Sequence, residues 1–198
     1  MKRIFRSLAA VMLTLLLPLA AVASTWNIDP EHSHIGFKIK HLMVSNVKGN
    51  FNKYTGTVDL NEKDITKSKV VVSIDTTSID TNVQKRDDHL KSADFLDVAK
   101  YPTMTFVSKK IAKVGNDGLK ITGDLTLHGV TKEVVLNVEE LSSESKDPWG
   151  NIRRGATATA TINRKDFGVT WNKGLETGGV LIGEEVHIIL EIEMIKAK

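Results

Sequence analysis

Apolar and polar residues alternate with period two along much of this chain. Ile35, Phe37 and Ile39 fall on one face, with Lys38 and Lys40 on the other, and Val70, Val72 and Ile74 repeat the pattern. Leu119, Ile121, Leu125 and Leu127 oppose Lys120, Thr122, Asp124 and Thr126, and Val134, Leu136 and Val138 follow. In the final run Val186, Ile188, Leu190, Ile192 and Met194 are set against Glu191 and Glu193. Such alternation predicts strands with one buried and one wet face. Between the runs lie Gly115-Asn116-Asp117-Gly118, His128-Gly129 and the cluster Lys146–Asn151, all suited to tight turns. Short links join antiparallel neighbours, because parallel strands need long crossovers.

One segment breaks the period. Thr81 or Asn82 can cap a helix through Val83–Lys91, and a short turn at Asp94–Asp97 ends before Tyr101-Pro102. This piece is mostly polar, which suits a cover over a sheet better than a core element. The pattern therefore predicts an all-β domain of about eight antiparallel strands with one short helical segment. A sandwich and a closed barrel both fit, and closure is favoured because it removes exposed edges.

An eight-stranded barrel is either filled by its own side chains or wide enough for one small guest. Ala156, Ala158 and Ala160 share one face of a strand, with Thr157, Thr159 and Thr161 on the other. Alanines pointing inward leave room, yet facing large residues could fill it, so the pattern leaves a hollow and a filled interior equally open. A long apolar guest would need little polar recognition, since each buried CH₂ contributes about 0.8 kcal/mol.

The N-terminus sets the expected compartment. Lys2, Arg3 and Arg6 precede an apolar run from Leu8 to Leu19, and Ala21-Val22-Ala23 offers a small-x-small cleavage site. Residues 1–23 are thus expected to be a removed signal peptide, and residues 24–198 one exported domain in the periplasm. The signal carries three of the 27 Lys and Arg residues and none of the 24 acidic ones, so the remainder is balanced. Balance argues against a nucleic-acid partner, which wants a basic patch. A second apolar span is lacking, so the domain is expected not to cross a membrane, and the chain has no Cys, which excludes disulfides and thiol chemistry.

Catalytic signatures are missing: there is no G-x-S-x-G elbow and no H-E-x-x-H helix. The expected activity is binding, not catalysis. His32 and His34 fall on one strand face, but no third ligand has a zinc-site spacing, so no metal is expected. Phe37, Phe51, Phe106, Phe167 and Trp171 are the aromatics expected to line the interior or its mouth, with Trp26 and Trp149 expected at a rim. Arg86 and Asp87 are read chiefly as ties between helix and barrel, and Ile189 or Ile195 could serve a homodimer.

The residues also resemble a family. Asp29-Pro30-Glu31-His32-Ser33 followed by Ile35-x-Phe37-x-Ile39-Lys40-His41-Leu42 is similar to the opening of the YceI-like polyisoprenoid-binding proteins. So are Arg86–Leu96 running on to Tyr101–Phe106, Gly123–Lys132, Arg164–Gly168 and Glu185-Val186. The resemblance implies a lipocalin-like closed antiparallel β-barrel with a lipid tunnel, and binding of a polyisoprenoid, a quinone or another long amphiphilic lipid, with no other cofactor. On that reading the apolar lining adds Ile39, Ile74, Leu125, Ala158 and Ile188 from strands, and Leu90 and Phe95 from the helical segment. His32, His41, Arg86 and His89 would make a polar mouth. Alternatives are a structural or stress-related barrel acting through a protein partner, and an enzyme on an isoprenoid substrate.

Overall fold

The computed structural model describes residues 23–115, 118–176 and 178–198. The expected signal peptide and the Asn116-Asp117 tip lie outside the described residues, apart from Ala23. The ordered strands are β1 (Ser24–Ile28), β2 (His34–His41), β3 (Ser45–Phe51), β4 (Tyr54–Leu60), β5 (Lys69–Asp75) and β6 (Ile79–Asp80). After helix α1 (Gln84–Lys91) come β7 (Thr103–Val114), β8 (Gly118–Leu127), β9 (Val130–Leu141), β10 (Ser145–Lys146), β11 (Ile152–Asn163) and β12 (Ile182–Lys196).

The short early strands combine into long staves. β1 and β2 both pair with β12, β4 and β3 pair with β1 and β2 respectively, and β5 and β6 continue outward in the same way. Each of the first three staves is therefore one strand interrupted partway. With β7, β8, β9, β11 and β12 they make a closed antiparallel barrel of eight staves, in which β12 pairs with β11 from Arg153↔Ile195 to Asn163↔Glu185 and closes the ring against β1 and β2. An antiparallel all-β domain with one short helix is what the alternation predicted, and closure is the favoured of the two architectures it left open.

The interruptions are held by polar bonds. Tyr54 donates its hydroxyl to the Ser33 carbonyl (2.6 Å), and Ser33 Oγ accepts from the Glu193 amide (2.9 Å). At the end where β6 stands, no strand among the described residues pairs with its outer edge. Residues 81–102 fill that gap, with Phe95 and Leu96 buried against the barrel. The expected side-chain cap is not formed: Val83 is the N-cap residue and has no capping bond. Thr81 is occupied elsewhere, since its hydroxyl and amide both donate to Asp87 while it accepts from Arg86 Nε (2.7 Å). Arg86 and Asp87 thus tie the helix to the end of β6.

Two hairpins show opposite relations to sequence. His128-Gly129 joins β8 to β9 with both residues at positive φ, as its composition suggests. Leu42-Met43-Val44 joins β2 to β3, and Leu42 and Met43 also have positive φ, 51° and 60°. Neither residue favours it, so nothing in the sequence announces this turn. Its tip, Leu42-Met43-Val44, is exposed. Ile189 and Ile195, weighed as dimer contacts, are only half-buried on the outer face.

Candidate binding cavity

Pairing register decides which side chains face in. Ala156, Ala158 and Ala160 sit opposite Ile192, Leu190 and Ile188, so the alanine face is internal and the threonine face external. Small residues there leave space, and the barrel encloses a cavity of about 700 Å³. That size lies within the range of ligand pockets.

One end of the cavity is floored. Trp26 is completely buried against Leu60 and Met194, with Ile65 and Leu141 packed around them. Outside this floor, the Arg154 guanidinium and Lys196 ammonium lie 5.6 and 5.3 Å from the Trp26 ring. Trp26 is therefore the base of the barrel and not a rim residue, because its parity with Ile28 turns it inward where β1 meets β4 and β12. Trp149, by contrast, is exposed in the β10–β11 turn.

The other end opens beneath α1. The wall there includes the exposed Lys40, Val83 and Lys85. His89, Phe95 and Trp171 form an aromatic triangle at this mouth, with ring centroids 4.9 Å (His89–Phe95), 4.9 Å (His89–Trp171) and 5.2 Å (Phe95–Trp171) apart. His89 is also held by Asp94, 2.8 Å from its Nε2. The triangle links the helix to the loop before β12 and narrows the entrance.

The structure puts Phe37, Ile39, Phe51, Ile74, Leu90, Phe95, Phe106, Leu125, Ala158, Trp171 and Ile188 on the cavity wall. Phe167 is not there. It closes a 3₁₀ turn (Arg164–Phe167) and is buried where β9 and β11 part company, since their pairing stops at Thr159↔Asn137. Of the expected polar mouth, His41, Arg86 and His89 line the opening. His32 does not, because it belongs to the interruption between β1 and β2, on the outside of the barrel.

There His32 joins an ionic cluster that sequence spacing could not reveal. Its Nδ1 lies 2.9 Å from Asp29 Oδ2, and Arg153 bridges Asp29 (2.7 Å), Asp147 (2.7 Å) and Glu193. Burial works to raise the Asp29 carboxyl, but hydrogen bonds from His32, Arg153 and the Glu31 amide outweigh it and hold the pKa below the ordinary value. The same pairing raises His32, and the Arg153 bond drives Asp147 far below the carboxylate range. Asp29, His32 and Glu193 could in principle hold a metal, their ligand atoms lying within 4.8 Å of one another. Arg153 already bonds both carboxylates, so a cation would have to displace a guanidinium. His34 lies apart from the cluster, its ring against Gly36.

Arg164 is a wall residue that the sequence reading did not single out. It is buried in the 3₁₀ turn after β11, its Nε donating to the Gly183 carbonyl (2.9 Å) and Nη1 to that of Val169 (2.7 Å). Burial lowers its pKa.

A closed eight-staved barrel around a floored apolar cavity defines the class: a hollow β-barrel built to enclose a small guest. The chain belongs to the YceI-like domain family, whose profile matches residues 26–194. It is 45% identical over 164 residues to a UPF0312 protein of Vibrio cholerae, covering 82% of this chain and 85% of that one. Against Protein YceI of Escherichia coli the identity is 44% over 181 residues, 90% and 91% of the two chains. Among solved structures it resembles the Campylobacter jejuni YCEI protein, with TM-score 0.67 and 35% identity over 81% of this chain and 91% of the other. A polyisoprenoid binding domain from Saccharophagus degradans shares the fold at TM-score 0.63 with 16% identity, covering 87% and 98%. No helix among the described residues is long and apolar enough to cross a membrane.

Proposed function

We propose that residues 24–198 hold a long-chain isoprenoid, or another extended amphiphilic lipid, inside the barrel and carry or store it in the periplasm. The observation that carries this reading is the cavity: about 700 Å³, with apolar side chains from the Trp26 floor to the α1 mouth. Its charged and imidazole side chains, Arg164 apart, come from the β2 end and α1. A tail can then be buried along the wall while its polar end stays near water, and about 0.8 kcal/mol per buried CH₂ supplies the affinity. The polyisoprenoid binding domain that shares this fold supports the choice of guest. The basic and apolar N-terminal pattern supports export, with residues 1–23 removed. The protein is read as acting by binding, which the apolar wall of the cavity supports.

Native mass spectrometry and lipid extraction of protein purified from the periplasm test the reading together. A co-purifying species with a long hydrocarbon chain, released on denaturation, is expected. Protein at its bare mass that also takes up no added isoprenoid would overturn it.

A further inference from the structure

The tip of the β2–β3 hairpin puts apolar side chains where a fold that faces only water would put polar ones. Leu42, Met43 and Val44 are consecutive and all exposed, Met43 to 56% and Val44 to 80%. Leu42 and Met43 also hold the left-handed backbone conformation, which their side chains disfavour. A turn built from Asn, Asp and Gly would avoid both penalties. Strained backbone of this kind concentrates at functional sites. The tip is also held in place. Leu42 donates its amide to the Leu181 carbonyl (2.8 Å), Val44 donates to that of His41 (3.1 Å), and the Leu181 amide bonds the Lys173 carbonyl (2.9 Å).

Its position matters as much as its composition. The hairpin rises from the cavity mouth, since Lys40, His41 and Val47 on its arms and Leu181 beside it all belong to the cavity wall. Val83, the N-cap residue of α1, is exposed on the same wall. Apolar surface therefore leads from the tip toward the interior. Cations flank it: Lys40 and Lys85 on the wall and Lys173 in the loop bonded to the tip are all exposed. None of the three forms an ion pair among the described residues, whereas Lys109, Lys165 and Lys196 on the outer wall are paired. The carboxylates of Asp87, Asp88 and Asp94 are engaged by Thr81, Gln84 and His89, and Glu176 is exposed in the loop.

Three side chains at a hairpin tip are too few for a stable protein interface, which takes about 800 Å² from each partner. They suit a bilayer, where a small apolar wedge enters the interfacial zone and flanking cations meet anionic lipid. We propose that Leu42-Met43-Val44 is a membrane-docking tip, which enters the surface of a bilayer containing anionic phospholipid with Lys40, Lys85 and Lys173 against the phosphates. Docked in this way, the barrel sets its mouth on the lipid surface, and a guest passes between bilayer and cavity without crossing bulk water. This inference rests on the lipid-binding reading above and adds the place where the guest is exchanged.

The test uses equimolar phosphatidylethanolamine–phosphatidylglycerol vesicles. Because the chain has no Cys, Val44→Cys supplies a single thiol for an environment-sensitive fluorophore at the tip, and Trp149→Cys supplies one in the exposed turn at the floored end. The tip label should shift to the blue with vesicles and be quenched by brominated lipid, while the label at the floored end stays unchanged. In co-sedimentation, Lys40→Gln with Lys85→Gln should weaken vesicle binding roughly 10–30-fold, about fivefold per cation. Leu42→Asn with Met43→Gly and Val44→Ser should weaken it roughly 10–100-fold through lost apolar burial. That variant should melt no lower than wild type and take up farnesol from solution within about twofold of it. If it fails to fold, the tip label still decides. A tip label that ignores vesicles, or one matched by the label at the floored end, would overturn the docking tip. So would a blue shift that grows with protein concentration alone, which would assign the tip to a second copy. Farnesol uptake by the same samples keeps the two readings apart. Uptake without vesicle binding sinks the docking tip and leaves the lipid reading standing; vesicle binding without uptake overturns the lipid reading alone, and loss of both overturns both.

Discussion

Replacing Ala158 with Phe tests whether the interior is space for a guest or merely the inside of a wall. Ala158 faces Leu190 on one side and Val138 on the other, is 8% exposed, and points into the cavity. In a filled core an added ring would cost about 1–3 kcal/mol through overpacking. In the hollow barrel it enters free volume, so the delipidated variant should melt within a few degrees of wild type or above it. The guest bears the cost. A ring that excludes four or five methylenes from the wall removes roughly 3–4 kcal/mol at about 0.8 kcal/mol each, a loss of about 10²–10³ in Kd. Titration of delipidated protein with farnesol, alongside calorimetric melting of both forms, measures the two effects separately. A variant that melts normally and binds farnesol as wild type does would refute the placement of the guest along β11. A variant destabilised by several kcal/mol would show that the interior is packed.

Other predictions follow from single features. Trp26→Ala should cost about 3–5 kcal/mol, the usual scale for a buried Trp, and a loss below 1 kcal/mol in urea titration would mean the floor is not packed as described. Exchanging the β2–β3 tip for Asn-Gly, as Leu42→Asn with Met43→Gly, should raise stability by about 1–2 kcal/mol, because both residues occupy the left-handed region unaided; unchanged melting would argue that the turn relaxes at no cost. The His32–Asp29 pair gives a signed pH effect. His32 is raised above 6.5, so its contribution is complete below that value and lost as pH rises through the folded pKa. Asp29 is lowered from 3.8, so its own contribution holds above that value and disappears only as pH falls through the lowered pKa. Melting temperature should therefore drop more steeply in wild type than in His32→Gln from about pH 6.5 upward, and parallel profiles would dismiss the pairing as a source of stability.

Strands were legible wherever burial is one-sided. β2, β5, β8, β9 and β12 carry clean alternation because one face meets the cavity and the other meets water. β7 is less plain: its register shifts between Ser108 and Lys110, so Phe106 and Ile111 face inward despite odd spacing. The alternation that revealed an antiparallel sheet could not reveal a hollow, since the same apolar residues would fill or surround it; the inward turn of Ala158 opposite Leu190 and the cavity beside it do. The aromatic candidates were sorted by depth along the barrel, which a terminus or a turn does not encode. Hence Trp26 was expected at a rim and Phe167 in the lining. Arg164 entered the sequence reading only within a family motif, because its partners are assigned by tertiary packing: the Gly183 and Val169 carbonyls reach it from beyond the turn that carries it.

The seam of the barrel has a consequence for how the molecule comes into being. Most of the other staves meet a close neighbour in the chain, whereas the ring is completed only when the 15 residues of β12 bond to β1 and β2. Joining segments some 150 residues apart costs about 2 kcal/mol more chain entropy than closing a ten-residue hairpin, so hairpins precede the seam. Until β12 arrives, the molecule is an open sheet with two bare edges and no compartment. A guest of the kind proposed above would therefore find a compartment only once β12 is in place, and a copy cut short before β12 would be an aggregation hazard and not a weak binder.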